Sequence, residues 1–130
     1  MEIKTYFFDT YALYELIRKN PAYARFTDAS IVTGRLNVME LYYGLLIEHN
    51  EETAERYYAF FSSSSIDASD TLIKQAMKFK AVVRTKNTKS NLSYIDAIGY
   101  AAALQLGIKF LTGDKEFAHL DNVEFVKNHR

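Results

Sequence analysis

The feature that most restricts the fold is an alternation. Short apolar segments that suit buried strands are separated by longer segments with helical periodicity. Ile3 to Phe8 is apolar and aromatic and stops abruptly at Asp9-Thr10. Tyr11 to Lys19 follows, with Leu13, Leu16 and Ile17 on one helical face. Asn20-Pro21 marks a stop and restart, because Asn caps a helix and Pro suits its first position. Ser30 to Thr33 is a second strand candidate, followed by helices over Asn37 to His49 and Glu51 to Phe61, with Asn50 as the cap between them. Ser62 to Asp67 reads as a loop and short strand, Ser69 to about Thr85 as a helix, and Asn87 to Asn91 as a polar loop. A helix over Ser93 to Leu106 ends at Gly107, and Ile108 to Leu111 is a strand. Phe117 to Leu120 suits a helical turn and Val123 to Val126 a last strand. Strands that alternate with helices pair in parallel, and a parallel sheet is covered on both faces. The expected architecture is a three-layer α/β/α sandwich around a parallel sheet of four to five strands, with residues 1–130 as one domain.

Composition narrows the chemistry. The chain lacks Cys, so disulfides and thiolate metal sites are excluded. His49, His119 and His129 are scattered, which leaves oxygen as the plentiful metal ligand. The start, Met1-Glu2-Ile3-Lys4, lacks the basic residues and long apolar run of a signal peptide, and no stretch is long enough to span a membrane. The cytoplasm is the expected location. Net charge is zero, against binding of nucleic acid by bulk charge alone. The charge is uneven, however. No acid occurs from Thr71 to Ile95, where Lys74, Lys78, Lys80, Arg84, Lys86 and Lys89 all lie. This block suits either a solvated helix face with its loop or a phosphate-contacting strip, with Arg84, Lys86 and Lys89 as the candidate RNA contacts.

Four acids stand out. Asp9 and Asp114 directly follow apolar strands, and Gly113 permits a tight turn before the second. In a parallel sheet the C-terminal strand ends open on one side, where ligands bind at the point of strand-order reversal. If the two strands are neighbours, Asp9 and Asp114 converge; each alone is equally suited to a cap or turn. Glu40 and Asp96 each lie three residues after a capping side chain, Asn37 and Ser93. That spacing resembles a capping box. It also holds a carboxylate rigidly in the first helical turn. Glu40 lies between Leu36 and Tyr43 on a face that continues to Ile47, and Asp96 is followed by Gly99 and Tyr100. A carboxylate on a face suited to packing is costly unless paired or coordinated, and neither has a Lys or Arg one turn away. Convergence of all four is the favoured expectation. Clustered carboxylates cannot all ionise without a cation. Mg²⁺ or Mn²⁺, one ion or two, suits such oxygen ligands and promotes in-line displacement at a phosphodiester. No Ser–His or Cys–His pair, P-loop or dinucleotide fingerprint is present.

The segments Phe8-Asp9-Thr10, Met39-Glu40-Leu41-Tyr42-Tyr43-Gly44, Tyr94-Ile95-Asp96-Ala97-Ile98 with Ala101 to Ala103, and Leu111-Thr112-Gly113-Asp114-Lys115-Glu116-Phe117 occur in order. Together they resemble the PIN-domain ribonucleases, of the VapC-like type that forms the toxin half of toxin–antitoxin pairs. The resemblance spans essentially the whole chain. It implies a parallel sheet between helices, Mg²⁺- or Mn²⁺-dependent cleavage of RNA and often a homodimer. Asp9, Glu40, Asp96 and Asp114 carry over as metal-binding and catalytic residues. Thr112 matches a hydroxyl that supports the site, and Glu116 stands where many relatives have a further acid. Asn37 replaces the usual Ser or Thr before the second acid. A toxin of this type implies a small antitoxin that covers the acidic cleft. Alternatives are a non-cleaving RNA- or protein-binding PIN module, an RNA-processing nuclease without an antitoxin, and a phosphoryl-accepting signalling domain. The last needs a Lys at a late strand end beside the pocket, which Lys109 and Lys115 match poorly. For a dimer, Tyr42, Tyr43, Tyr57, Tyr58, Phe60 and Phe61 are expected to divide between core and surface.

Overall fold

The computed structural model describes residues 2–127, so His129 lies outside the described residues. Five strands form one parallel sheet in the order β3-β2-β1-β4-β5. They are β1 (Thr5–Phe8), β2 (Ser30–Gly34), β3 (Ser65–Ile66), β4 (Lys109–Thr112) and β5 (Val123–Phe125). The helices are α1 (Thr10–Ile17), α2 (Arg35–Glu48), α3 (Glu51–Ser62), α4 (Asp70–Lys86) and α5 (Tyr94–Leu106).

Strand side chains alternate between the two faces, and each face has its own core. Phe8 and Leu111 point to one side, where Leu13, Tyr23, Phe26, Val38, Leu41, Leu45 and Phe61 pack from α1, α2, α3 and the intervening 3₁₀ segment. Phe7 and Phe110 point to the other, against Leu72, Ala76 and the small residues of α5. The expected three-layer α/β/α sandwich is therefore what forms.

The helix boundaries follow from local chemistry. Asn20 caps a 3₁₀ helix, Pro21–Phe26, with Pro in its first turn. Asn50, Ser69 and Ser93 accept hydrogen bonds from the N–H groups of Thr53, Leu72 and Asp96. Gly107 ends α5 at φ +69°, a left-handed conformation that favours glycine. Two boundaries differ from expectation. Helix α2 starts at Arg35 directly from β2, with Gly34 at its cap position and no side-chain cap. The helical turn near the end is Lys115–Phe117, earlier than Phe117 to Leu120, because Asp114 caps it.

Strand order fixes where the acids go. The chain builds outward from β1 through β2 to β3, then returns to place β4 on the other side of β1. The reversal lies between β1 and β4, where the following loops diverge and leave a crevice at the C-terminal strand ends. Phe8 pairs with Leu111, so Asp9 and Thr112 leave the sheet side by side.

Candidate metal-dependent site

Asp9, Glu40, Asp96 and Asp114 line one open cleft of 880 Å³, together with Thr10, Tyr11, Tyr14, Met39, Tyr43, Asn91 and Ser93. Among the described residues no Lys or Arg lines it. Four different places in the chain supply the acids: the end of β1, the second turn of α2, the first turn of α5, and the turn after β4.

Asp9 is 2% exposed and caps α1. Its Oδ1 accepts from the Ala12 N–H at 2.7 Å, and its Oδ2 accepts from the Thr112 hydroxyl. Thr112 also accepts from the Asp114 N–H at 3.0 Å, so this one buried hydroxyl joins two acids. Asp114 in turn accepts from the Glu116 N–H at 3.0 Å. A similar device holds Glu40. The Thr10 hydroxyl donates to Glu40 Oε1 at 2.7 Å and accepts from the Asn37 side-chain amide at 3.1 Å. Asn37 is thus buried inside the first turn of α2 and does not cap the helix. The capping box expected across Asn37 and Glu40 is absent because α2 begins two residues earlier. In α5, Ser93 does cap, accepting from the Asp96 N–H at 3.1 Å.

The acids sense one another. Burial pushes the Asp9 carboxyl up to about 8; the Thr112 and Ala12 hydrogen bonds oppose this, and the Asp96 and Asp114 charges add to it. Burial pushes Asp96 up to about 6, opposed by Ser93 and reinforced by Asp114 and Glu40. Desolvation comes first in both cases, and neighbouring negative charge acts in the same direction.

Among the described residues, no three His, Cys, Asp or Glu side chains are placed close enough to hold an ion between them. The acids share a cleft, but Asp9, Glu40 and Asp114 are engaged by Thr112, Thr10 and the Glu116 N–H. By chemistry the set fits a hard divalent cation: oxygen donors only, mutual repulsion, and no protein cation to relieve it.

Other sequence expectations divide. Glu116 is exposed on the short 3₁₀ helix and is not part of the cleft lining. Gly113 is not needed for a left-handed turn, since Gly107 is the only described glycine with positive φ. A Cβ at Gly113 would instead meet the Tyr11 ring at 2.4 Å and the buried, unpartnered Tyr23 hydroxyl at 2.7 Å. The face running from Leu36 through Glu40 and Tyr43 to Ile47 does not continue into the core: Tyr43 is 67% exposed and Ile47 68%. Arg84, Lys86 and Lys89 are exposed on α4 and the following loop, outside the cleft. Thr10, Tyr11, Tyr14 and Asn91 were not singled out from sequence. For Thr10 the only available signal was its place beside Asp9.

The family model for the PIN domain matches residues 6–123. No curated protein matches the sequence. Three similar solved structures share the fold. One is a toxin–antitoxin complex from Klebsiella pneumoniae, 20% identical, TM-score 0.72, covering 95% of this chain and 99% of that one. Another is a DNA-bound VapBC from Salmonella typhimurium, 17% identical, TM-score 0.70, covering 95% and 97%. The third is VapC20 from Mycobacterium tuberculosis, described as a toxin that cleaves the sarcin–ricin loop, 19% identical, TM-score 0.73, covering 93% and 98%.

Proposed function

The chain belongs to the PIN-domain family, and on that premise we propose that it is a divalent-metal-dependent endoribonuclease and the toxin half of a toxin–antitoxin pair. The observation that carries this is the gathering of Asp9, Glu40, Asp96 and Asp114 in one cleft with no Lys or Arg in its described lining. In this reading residues 1–130 act as a single PIN domain, and the four acids hold Mg²⁺ or Mn²⁺. Such an ion, when bound, lowers the pKa of a water and stabilises charge on a phosphodiester undergoing in-line displacement. Thr112 and Thr10 orient Asp9 and Glu40 toward the cleft. Asn37 fixes Thr10, and Ser93 anchors the turn that carries Asp96. Arg84, Lys86 and Lys89 attract the RNA backbone toward a cleft whose own charge repels it.

The partners follow from the same likeness. Toxin–antitoxin complexes are among the structures of similar fold, and one such toxin is described as cleaving the sarcin–ricin loop. A small antitoxin with a basic side chain suits this acidic cleft, and a homodimer suits the apolar residues left exposed on α2 and α3. Among the described residues, no helix is long and apolar enough to cross a membrane.

The test is cleavage of a labelled single-stranded RNA. Cutting is expected with Mg²⁺ or Mn²⁺, is lost in EDTA, and falls on the order of 10²–10³-fold in Asp9→Asn or Asp96→Asn. A wild-type chain that binds the RNA and leaves it intact with both ions is instead a non-cleaving PIN module.

A further inference from the structure

A second pocket, of 300 Å³, adjoins the acidic cleft. It is lined by Lys80, Arg84, Thr88, Ser90, Asn91 and Leu92, from the end of α4 and the loop into α5. Asn91 lines both this pocket and the cleft, so the two share a wall. We propose that this pocket binds an internucleotide phosphate of single-stranded RNA, next to the phosphate being cut. The proposal rests on the nuclease reading and adds to it a discrete subsite and a residue, Lys80, that the basic block alone did not distinguish.

Three observations support it. Lys80 and Arg84 are four residues apart on α4 and therefore share a face, where like charges repel. Among the described residues neither has a carboxylate within salt-bridge distance, although Arg18, Arg25 and Arg35 all do. Second, Lys80 is held in place and is not freely mobile. It donates to the Leu92 carbonyl oxygen and its Nζ lies 5.0 Å from the centre of the Tyr94 ring. An ammonium has three donors, so others remain for a ligand. Third, the pocket adds the Thr88 and Ser90 hydroxyls and the Asn91 amide, which makes it rich in donors and free of acids. This is the complement of a phosphate. Lys86 and Lys89 do not line it and serve only as general attraction. A strand crossing Asn91 would present one phosphate to the four acids and another to Lys80 and Arg84.

The test uses single-stranded oligoribonucleotides in which one linkage at a time is made a neutral methylphosphonate. Cleavage is followed in Mn²⁺ with the wild-type chain, and binding by anisotropy with Asp96→Asn. For wild type, neutralising one linkage beside the scissile one should raise KM roughly tenfold, about the worth of one charged contact, with kcat little changed. Arg84→Gln should raise KM similarly on unmodified RNA and lose sensitivity at that linkage. Its log K against log salt slope should fall by about 0.7, one single-strand phosphate. Lys74→Gln, the same charge change elsewhere on α4, should retain the wild-type linkage profile. An Arg84→Gln chain that keeps that profile overturns the pocket while leaving the nuclease reading intact. If wild type cuts nothing, the nuclease reading fails, and the anisotropy profile of Asp96→Asn with and without Arg84→Gln still decides the pocket. Weaker antitoxin binding in Arg84→Gln with an unchanged RNA profile would assign the pocket to a protein partner and overturn the proposal.

Discussion

A carboxyl removed from water stays charged only if something favours its charged form; otherwise it keeps its proton. At Asp9 the protein supplies two donors, Thr112 and Ala12, and these do not offset burial. Asp96 has its Ser93 anchor, and it too lies above its ordinary value. Folding of the ion-free chain therefore favours the protonated forms. That contribution is fully present below the unfolded value near pH 4 and is lost as pH rises through about 6 and then about 8. In EDTA the thermal midpoint should fall between about pH 5 and 8.5. Mn²⁺ should restore it at the upper end and do little at the lower, because ligands must be deprotonated to bind. Asp9→Asn should remove most of the slope. Thr112→Val takes a donor from the charged form, so the decline should start at the same pH but continue to higher pH. It should cost about 1–3 kcal/mol and reduce cleavage about 10–100-fold. A flat melting profile in EDTA for wild type would contradict this account of the acids.

Elements matter because each acid is only as well placed as the helix or strand beneath it. Helix α5 carries Asp96 in its first turn and lies tightly on the sheet. A Cβ at Gly99 would meet the Phe7 ring at 2.9 Å and the Phe110 ring at 3.2 Å. Those rings are stacked in the core and cannot easily give way. Gly99→Ala should therefore lift α5, costing about 1–3 kcal/mol, and shift Asp96 relative to the other three acids. Cleavage should drop by more than the loss of folded protein explains. Gly107→Ala is the comparison. A Cβ there meets nothing within 4 Å, and its cost of about 1 kcal/mol comes from the positive φ alone. Melting curves and kcat/KM measured side by side separate the two. Equal activity per folded molecule in both variants would detach the site from the packing of α5.

At the scale of the molecule, zero net charge conceals a separation. The acids collect at the mouth of the sheet, while uncompensated cations lie on α4 and the loop beside it. The exposed apolar surface is also grouped. Met39, Tyr43, Leu46 and Ile47 recur at helical spacing along the outer side of α2, and Tyr58 and Phe60 are exposed on α3. Of the six aromatics expected to divide between core and surface, Phe61 is buried, Tyr42 and Tyr57 pack partly against the core, and Tyr43, Tyr58 and Phe60 are exposed. For the proposed homodimer, sedimentation should give twice the chain mass at micromolar concentration. Tyr43→Glu with Ile47→Glu should give monomers that still melt cooperatively. A wild-type chain that stays monomeric across that range rules out the dimer.

Periodicity and punctuation by themselves determined the order of strands and helices, the parallel sheet and most helix ends, because these depend on neighbours a few residues apart. Asp9, Glu40, Asp96 and Asp114 were legible as candidates for the same reason: each reads as following a strand or opening a helix, although Glu40 lies in the second turn of α2. Their meeting could be expected from sequence but not established by it, since it requires β4 to return beside β1, a pairing across more than 100 residues. Nor was the true start of α2 or the burial of Asn37, which its contact with Thr10 explains. The need for Gly113 also came from outside its own turn, in the rings of Tyr11 and Tyr23. Sequence specifies what each segment is suited to be. Only the packed sheet decides which distant side chains must share space and charge.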